Sequence, residues 1–240
     1  MLNKPLTGID ISSWQAPASV NWHRLRELGY SFAYIRGVKM GRSVDVHAAE
    51  HVQRARDGGF RVGLYSFFHP AESVDDQVEL AADAHAACGL RVGDLAPALD
   101  VESIDHGPQA CPAWVEPAHA ILEGLEVLFQ AALRYHNVRD WVLMGRPTCL
   151  ERWHLWLADY TAPADLPCVV WQQRSAPIAG YGTAPLDQNA ALGELPTIGP
   201  RPDAVRVVEP DMLGASAFPW PRWDPTEHAR IRNRAASRIE

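Results

Sequence analysis

The fold is decided by the stretch Leu6-Thr7-Gly8-Ile9-Asp10-Ile11-Ser12-Ser13-Trp14-Gln15. Residues 6–11 form a short, mostly apolar run, which is typical of a strand buried on both faces in a parallel sheet. A doubly wound dinucleotide-binding sheet carries a Gly-rich turn after its first strand. No glycine stands in Ser12-Ser13-Trp14-Gln15. We therefore expect a parallel sheet that closes into a barrel rather than a doubly wound sheet.

Strand and helix patterns alternate along the chain after this first strand. Strands are predicted at residues 31–38, 60–68, 96–101 and 141–144, and helices at residues 22–28 and 44–56, after the capping residue Ser73 and from Pro117 onward. Two further apolar runs, at residues 155–160 and 168–172, follow with little helix between them. The alternation indicates an α/β protein whose regular pattern breaks down after the fifth strand.

The composition suits one globular domain and narrows its function. The 240 residues are 47% hydrophobic and 21% charged, and the net charge of -7 argues against a general nucleic-acid binder. The four cysteines form no C-x-x-C pair, so we expect free thiols. Nine tryptophans are a high count, and tryptophan can stack on sugars as well as fill a core.

The two ends of the chain bear on its organisation. No run approaches the roughly 20 apolar residues of a membrane span, and residues 1–7 lack the apolar part of a secretory signal. We expect synthesis in the cytoplasm without a signal peptide. The sequence becomes Pro-rich after about Leu195, which predicts a barrel domain at residues 1–195. Residues 196–240 form a Pro/Trp-rich segment and an Arg-rich C-terminal helix, docked on the barrel or projecting from it.

Four acidic residues stand in or beside apolar strands, where a carboxylate is costly unless it is paired or used. They are Asp10, Asp100, Glu102 and Asp187. Asp100 and Glu102 are two residues apart, so on a strand they share a face at a Cα separation of about 7 Å. We expect all four at the C-terminal ends of their strands, where barrel enzymes keep their active sites. The competing interpretation is that each carboxylate caps a loop or pairs with an arginine such as Arg36.

Aromatic residues stand near the same strand ends. Such side chains can bind sugar rings by stacking, or they can pack in the core of the barrel under a loop. The candidates for a binding surface are Trp14, Tyr34, Tyr65, Phe67, Trp156, Tyr160 and Trp171.

Several of these segments, in the same order, resemble the glycoside hydrolase family 25 lysozymes. The resemblance covers about residues 6–190 and rests on several ordered motifs. They include Gly8-Ile9-Asp10-Ile11-Ser12-Ser13-Trp14-Gln15, Gly63-Leu64-Tyr65-Ser66-Phe67-Phe68, Leu99-Asp100-Val101-Glu102, Leu155-Trp156-Leu157-Ala158-Asp159-Tyr160, Val170-Trp171-Gln172 and Leu186-Asp187-Gln188-Asn189.

The resemblance implies an irregular TIM-like β/α barrel, with about five β/α units followed by three strands with few intervening helices. It implies cleavage of the β-1,4 bond between N-acetylmuramic acid and N-acetylglucosamine in peptidoglycan, with net retention. Glu102 would be the general acid and base, and Asp100 the nucleophile or the group that stabilises the substrate's 2-acetamido. Asp10 and Asp187 would complete an acidic floor, while Tyr65, Trp156 and Tyr160 would line sugar subsites. No metal or organic cofactor is expected, because carboxyl groups handle the protons.

The sequence departs from the family pattern at three places. The family usually has a tyrosine on the fifth strand, where residues 143–145 are Leu-Met-Gly. It often has a histidine at the position of Ser66 and an aromatic residue at the position of Gln173. None of these departures removes a carboxylate.

Two other functions compete with this one. His47-Ala48-Ala49-Glu50-His51 matches the H-x-x-E-H pattern of some metallohydrolases, but we expect it on a solvated helix face far from the strand ends. The segment Phe218-Pro219-Trp220-Pro221-Arg222-Trp223 and the Arg-rich helix suit a non-catalytic wall-binding or phage-structural module on a lysozyme-like barrel. Such a tail would give the chain a cell-wall or phage-particle partner. No nucleic-acid partner or stable membrane insertion is expected, and a substrate outside the membrane implies delivery by phage lysis or a similar route.

Overall fold

The computed structural model describes residues 5–161 and 166–200. The strands are β1 (Thr7–Ile11), β2 (Tyr30–Lys39), β3 (Ser43–Val44), β4 (Arg61–Phe67), β5 (Ala98–Asp100), β6 (Leu133–Asn137), β7 (His154–Ala158), β8 (Val170–Pro177) and β9 (Pro185–Ala191). The α-helices are α1 (Trp22–Glu27), α2 (Ala48–Asp57), α3 (Val74–Ala87), α4 (Val115–Phe129) and α5 (Val138–Leu143). Short 3-10 helices lie at Pro17–Ser19, Pro112–Trp114 and Thr148–Arg152.

Eight of the strands close into a barrel. Their order is β1-β9-β8-β7-β6-β5-β4-β2, and β2 pairs with β1 to close the ring. The pairs from β1 through β8 are parallel, whereas β9 runs antiparallel to both β8 and β1. The two-residue β3 stays outside the ring as an antiparallel partner of β2, where the sequence predicted the start of a helix.

The predicted break in the β/α alternation is confirmed. Helices α1 to α5 follow β1, the β2/β3 hairpin, β4, β5 and β6 in turn, and no α-helix separates β7, β8 and β9 in the described residues. Because an antiparallel strand can return directly along its neighbour, β9 needs no crossover helix. None of the described helices is long and apolar enough to cross a membrane.

The strand predicted at residues 141–144 is wrong. The fifth barrel strand is β6, and Trp141 lies on α5 instead. The apolar Trp141 ring packs on the outer face of β6. It stacks on the His136 ring with 4.6 Å between the centroids, and the Arg134 guanidinium lies 4.6 Å from its centroid. The polar residues Arg134 and His136 alternate along β6, so its sequence does not look like a buried strand.

Two apolar layers hold the barrel together. The inner layer fills the barrel with side chains that include Phe32 and Tyr34 of β2 and Trp156 of β7. The outer layer packs the opposite face of the strands, including Ile9 and Leu64, against the helices. Successive side chains of a strand point to opposite faces, so a strand such as β2 supplies both layers, and this explains its nearly continuous burial.

The end of the described chain packs at the bottom of the barrel, beside the start of β5. Residues 196–200 lie along residues 93–96, with Leu95 and Thr197 forming a bridge and the Ala96 N–H donating to the Pro196 carbonyl at 3.0 Å. The predicted Trp-containing segment and Arg-rich helix lie outside the described residues. All four cysteines are free, as predicted.

One glycine of β4 limits how large the inner layer can be. A Cβ atom on Gly63 would lie 2.7 Å from the Leu95 Cβ and 2.7 Å from the Tyr34 ring, both of which belong to the inner layer. Real Cβ atoms do not approach other heavy atoms this closely, so only glycine fits without a shift of the barrel wall.

We therefore predict that Gly63→Ala lowers the free energy of unfolding by about 1–3 kcal/mol. The measurement is urea denaturation followed by tryptophan fluorescence. The matched control is Gly182→Ala, since nothing lies within 4 Å of the Cβ position at Gly182. Equal unfolding midpoints for the two variants would contradict the packing described for Gly63.

Candidate active site

A cleft opens at the end of the barrel where the parallel strands finish. It encloses about 360 Å³, within the roughly 300–1,000 Å³ typical of small-ligand sites. All four predicted carboxylates line it, together with Trp14, Tyr65, Phe67, Trp156 and Tyr160 from the predicted aromatic set. The remaining lining residues are Ile11, Ser12, Gln15, Arg36, Tyr135 and Gln172.

The four carboxylates come from three strands of the barrel: β1 and β9 are neighbours, and β5 lies across the ring from them. Asp10 of β1 and Asp187 of β9 are direct register partners, which places neighbouring side chains on one face about 5 Å apart. Asp100 ends β5, and Glu102 follows it two residues later. The expected placement of Asp187 at the end of a strand is wrong. Because β9 runs antiparallel, it is the beginning of this strand that reaches the mouth of the barrel.

Asp10 is held by two carboxamides. Its Oδ2 accepts hydrogen bonds from Gln172 Nε2 at 2.9 Å and from Asn189 Nδ2 at 2.8 Å. Each amide is oriented in turn by an aromatic donor, since Tyr135 donates to Gln172 Oε1 at 3.0 Å and Trp156 Nε1 donates to Asn189 Oδ1 at 2.9 Å. These four hydrogen bonds connect side chains of β1, β6, β7, β8 and β9 across the top of the barrel.

The pKa values of all four carboxyl groups are raised, and burial is the largest cause for each. Burial, with the charge of Asp187 next, raises the pKa of Asp10 to about 7, although the two carboxamides act in the opposite direction. Burial likewise raises the pKa of Glu102 to about 7. Burial and the neighbouring Glu102 hold the pKa of Asp100 well above its usual range, and burial raises that of Asp187. The cleft therefore holds both protonated and ionised carboxyl groups near neutral pH.

Asp100 lies deepest in this group. It is 6% exposed, and its Oδ1 has no hydrogen-bond partner among the described residues. The Arg36 guanidinium lowers its pKa, but by less than burial and the charges of Glu102 and Asp10 raise it. Arg36 forms its ion pair elsewhere, from Nε to Asp45 Oδ2 at 2.8 Å. The competing interpretation, in which Arg36 pairs with one of the cleft carboxylates, is therefore wrong.

The predicted aromatic residues separate into three groups. Trp14 and Tyr160 stand at the rim, 85% and 60% exposed, where a ligand can reach their faces. Tyr65 and Phe67 line the wall. Trp156 lies in the floor but is only 2% exposed, so its indole supports the cleft more than it offers a stacking face.

Two of the predicted binding residues do not line the cleft. Tyr34 is fully buried inside the barrel and donates to the Ala96 carbonyl at 3.1 Å. Trp171 points away from the interior, and its Nε1 donates to the Asp159 carbonyl at 2.7 Å. The alternation of side chains along a strand explains Trp171, because its neighbour Gln172 takes the inward position.

Sequence reasoning missed Tyr135, Gln172 and Asn189. Tyr135 was hidden by the misplaced fifth strand, and it places a tyrosine on that strand, where the sequence suggested that none was present. Gln172 and Asn189 are uncharged, so a search for titratable groups passes over them. Their places in the motifs Val170-Trp171-Gln172 and Leu186-Asp187-Gln188-Asn189 were the available signal.

The H-x-x-E-H segment has a packing role that the sequence did not predict. His51 is fully buried rather than on a solvated face, and its Nε2 lies 2.9 Å from the Gln15 carbonyl oxygen. The contact anchors α2 to the loop after β1. Within residues 5–161 and 166–200, no three His, Cys, Asp or Glu side chains are placed to share a metal ion.

The loop after β1 is held on its other side as well. Asp45 Oδ2 accepts from the Ser13 N–H at 3.2 Å, and Arg36 donates to Ser13 Oγ at 2.7 Å. These contacts and the His51 anchor hold the backbone on both sides of Trp14. The exposed indole therefore stands on a fixed support at the rim.

Proteins similar to this chain include two bacterial lysozymes. Lysozyme M1 from Streptomyces globisporus is 25% identical over 204 residues, which cover 78% of this chain and 67% of the relative. The crystal structure of the bacterial lysozyme from Streptomyces coelicolor superposes with a TM-score of 0.68 at 23% identity, over 80% of this chain and 94% of that one.

A third relative is a modular protein with a ligand. The modular autolysin LytC from Streptococcus pneumoniae, determined in complex with a synthetic peptidoglycan ligand, superposes with a TM-score of 0.66 at 15% identity. The match covers 77% of this chain and 46% of the autolysin. These two structures establish the shared fold.

The family follows from the sequence match. The model of Glycosyl hydrolases family 25 matches residues 9–177, which run from within β1 to the end of β8 and include three of the four cleft carboxylates. The match spans more than half of the chain. The protein is a glycoside hydrolase and belongs to family 25 of the glycosyl hydrolases.

Proposed function

We propose that the cleft hydrolyses the β-1,4 bond between N-acetylmuramic acid and N-acetylglucosamine in peptidoglycan, with net retention of configuration. Membership of the family and the lysozyme relatives support the substrate class. The observation that carries the proposal is the pairing of Asp100 with Glu102 in one cleft, where burial raises the pKa of both. Glycoside hydrolysis needs a protonated acid next to a second carboxyl group.

Glu102 is the general acid and base of this proposal. Its raised pKa of about 7 lets it carry a proton at neutral pH and release it to the leaving glycosidic oxygen. The bond from that oxygen to the anomeric carbon then breaks. In the second step, Glu102 takes a proton from the water that attacks the same carbon.

Two routes are compatible with the place of Asp100. Its carboxylate attacks the anomeric carbon directly, or it orients the substrate's 2-acetamido group, whose oxygen attacks instead. Both routes invert the anomeric carbon twice and therefore retain its configuration.

The other cleft residues hold the substrate and tune the acids. Asp187 raises the pKa of Asp10 by its charge, and the two form the far side of the acidic floor. Tyr65 and Phe67 line the wall, and the exposed rings of Trp14 and Tyr160 offer faces on which sugars can stack. The place of action is then the bacterial cell wall, and the route of delivery stays a prediction of the sequence.

Replacing Glu102 tests the assignment of the general acid. We predict that Glu102→Gln lowers the rate of peptidoglycan hydrolysis by about 10²- to 10⁴-fold, because glutamine keeps the shape of the side chain and carries no titratable proton. The measurement is mass spectrometry of new reducing ends, which are expected to be N-acetylmuramic acid. Glu194→Gln, an exposed change outside the cleft, is the matched control.

The outcomes separate the candidate functions. N-acetylglucosamine ends or free peptides from the wild-type protein would contradict the proposed bond specificity. Binding to peptidoglycan without any product would support the non-catalytic wall-binding module instead. Full activity of Glu102→Gln would remove Glu102 from its role.

The raised pKa values also predict how activity depends on pH. The rate constant kcat/KM should fall above about pH 7, where Glu102 loses the proton that it donates. It should also fall at acid pH, where the coupled carboxylates of the cleft take up protons. Initial rates between pH 4 and pH 9 check this bell-shaped profile.

The same groups make the folded protein less stable as pH rises. Such a carboxyl group has a higher pKa in the folded protein than in the unfolded chain. Its contribution to the stability of the fold is fully present below the unfolded pKa and is lost as the pH rises through the folded pKa. For Glu102 the window runs from about 4.5 to about 7. Urea unfolding should show a smaller loss of stability across this window for Glu102→Gln than for the wild type. An identical loss would show that Glu102 does not titrate there.

A further inference from the structure

Asp140 is a buried carboxyl group that the proposed reaction does not use. It lies on α5 and is 1% exposed. Its Oδ2 accepts hydrogen bonds from the Ser103 N–H at 2.7 Å and from Asn137 Nδ2 at 2.9 Å, and its Oδ1 accepts from Ser103 Oγ at 2.8 Å. In all three hydrogen bonds the Asp140 carboxyl group is the acceptor, and each donor is an uncharged group.

The backbone partner of Asp140 adjoins the general acid. Ser103 follows Glu102 directly, so two hydrogen bonds to one carboxyl group fix the peptide immediately after Glu102. Ser103 Oγ also accepts from the Ala110 N–H at 3.0 Å. That hydrogen bond holds Ala110, in the loop after β5, next to Ser103 and Asp140.

The side-chain partner of Asp140 contacts Glu102 itself. The Asn137 carboxamide forms a side-chain hydrogen bond with Glu102. Its Oδ1 accepts from the Asp140 N–H at 2.8 Å while its Nδ2 donates to the Asp140 carboxyl, so Asp140 fixes which way the amide faces. Glu102 is therefore reached from Asp140 by two paths, one through the backbone and one through Asn137.

Asn137 and Asp140 also change the pKa of Glu102. After burial, the Asn137 hydrogen bond lowers the pKa of Glu102, and the negative charge of Asp140 raises it. Arg36 is the cation of the cleft, and it acts on Asp100 and Tyr65. The titratable groups that face Glu102 are Asp10 of β1, Asp100 of β5, Asp105 in the loop after it, Tyr135 of β6, Asp140 of α5, Tyr160 after β7 and Asp187 of β9.

We propose that Asp140 is a positioning residue for Glu102, because it fixes both the peptide after Glu102 and the Asn137 carboxamide. The proposal rests on the role of Glu102 in the proposed function. The competing explanation is a purely structural one, since Asn137 and Asp140 stand at the start of α5, where such residues cap helices. A capping role alone does not require the two contacts with Ser103.

The decisive variant is Asp140→Asn, which keeps the shape and removes the charge. We expect the pKa of Glu102, followed by carbon-13 NMR of its carboxyl group in the full chain, to fall by about one pH unit. The basic limb of kcat/KM should move to lower pH by the same amount, and kcat at pH 7 should fall about fivefold or more, because a smaller fraction of Glu102 carries a proton. Asp57→Asn, at an exposed position of α2, removes the same charge far from the cleft and should change neither quantity.

A second variant separates position from charge and stays informative if Asp140→Asn folds poorly. Ser103→Ala keeps the charge of Asp140 and removes one of its hydrogen bonds. It should lower kcat and leave the basic limb in place. Unchanged kcat in this variant, or an unchanged Glu102 titration in Asp140→Asn, would overturn the proposal and leave Asp140 as a helix cap.

The proposed hydrolysis and the positioning role of Asp140 can be contradicted separately. The NMR titration needs no substrate, so it reports on Asp140 even if the wild-type protein releases no muramic-acid ends. If the wild type cleaves peptidoglycan and Asp140→Asn has the same pH profile, only the inference on Asp140 fails.

Discussion

Closure of the barrel through β1 is the constraint on which the site depends. β1 pairs in parallel with β2 and antiparallel with β9, so it joins the first and last strands of the ring. The same pairing sets Asp10 beside Asp187 and lets Gln172 and Asn189 reach Asp10. Without it, the acidic residues of β1 and β9 would lie on separate edges of an open sheet.

The cleft gathers charge at a cost in stability. Four carboxyl groups with raised pKa values share one mouth, and each must be desolvated as the barrel closes. The carboxamides that donate to Asp10, and the aromatic donors that orient them, offset part of this cost. The apolar layers on both faces of the strands supply the remaining stability, and they leave the mouth free for polar groups.

Much of this arrangement could be predicted from the sequence. Apolar strands with carboxylates at their ends, and no Gly-rich turn after β1, indicated the barrel and its four acidic residues. The fifth strand was missed because Arg134 and His136 alternate with its inward residues while the apolar Trp141 covers them from α5. Periodicity reports burial and cannot tell which of two neighbouring segments is the strand.

The other wrong predictions share a physical cause. The sequence does not directly show in which direction a strand runs, or whether a side chain points into the barrel. The antiparallel course of β9 reversed the expected place of Asp187 along its strand. Tyr34 and Trp171 stand near strand ends, but one fills the barrel and the other faces outward. His51 sits in a metal-binding pattern, yet its ring nitrogen contacts a backbone carbonyl.

The central claim is that the carboxyl groups at the barrel mouth carry out hydrolysis in two displacement steps. The stereochemistry of the first product tests this most directly, because it does not depend on which group attacks the anomeric carbon. Proton NMR of a soluble peptidoglycan fragment during the first minutes of digestion reports the anomer before mutarotation mixes the two forms. Two displacement steps at the β-1,4 bond predict the β anomer of the new N-acetylmuramic acid end, and initial release of the α anomer would contradict them.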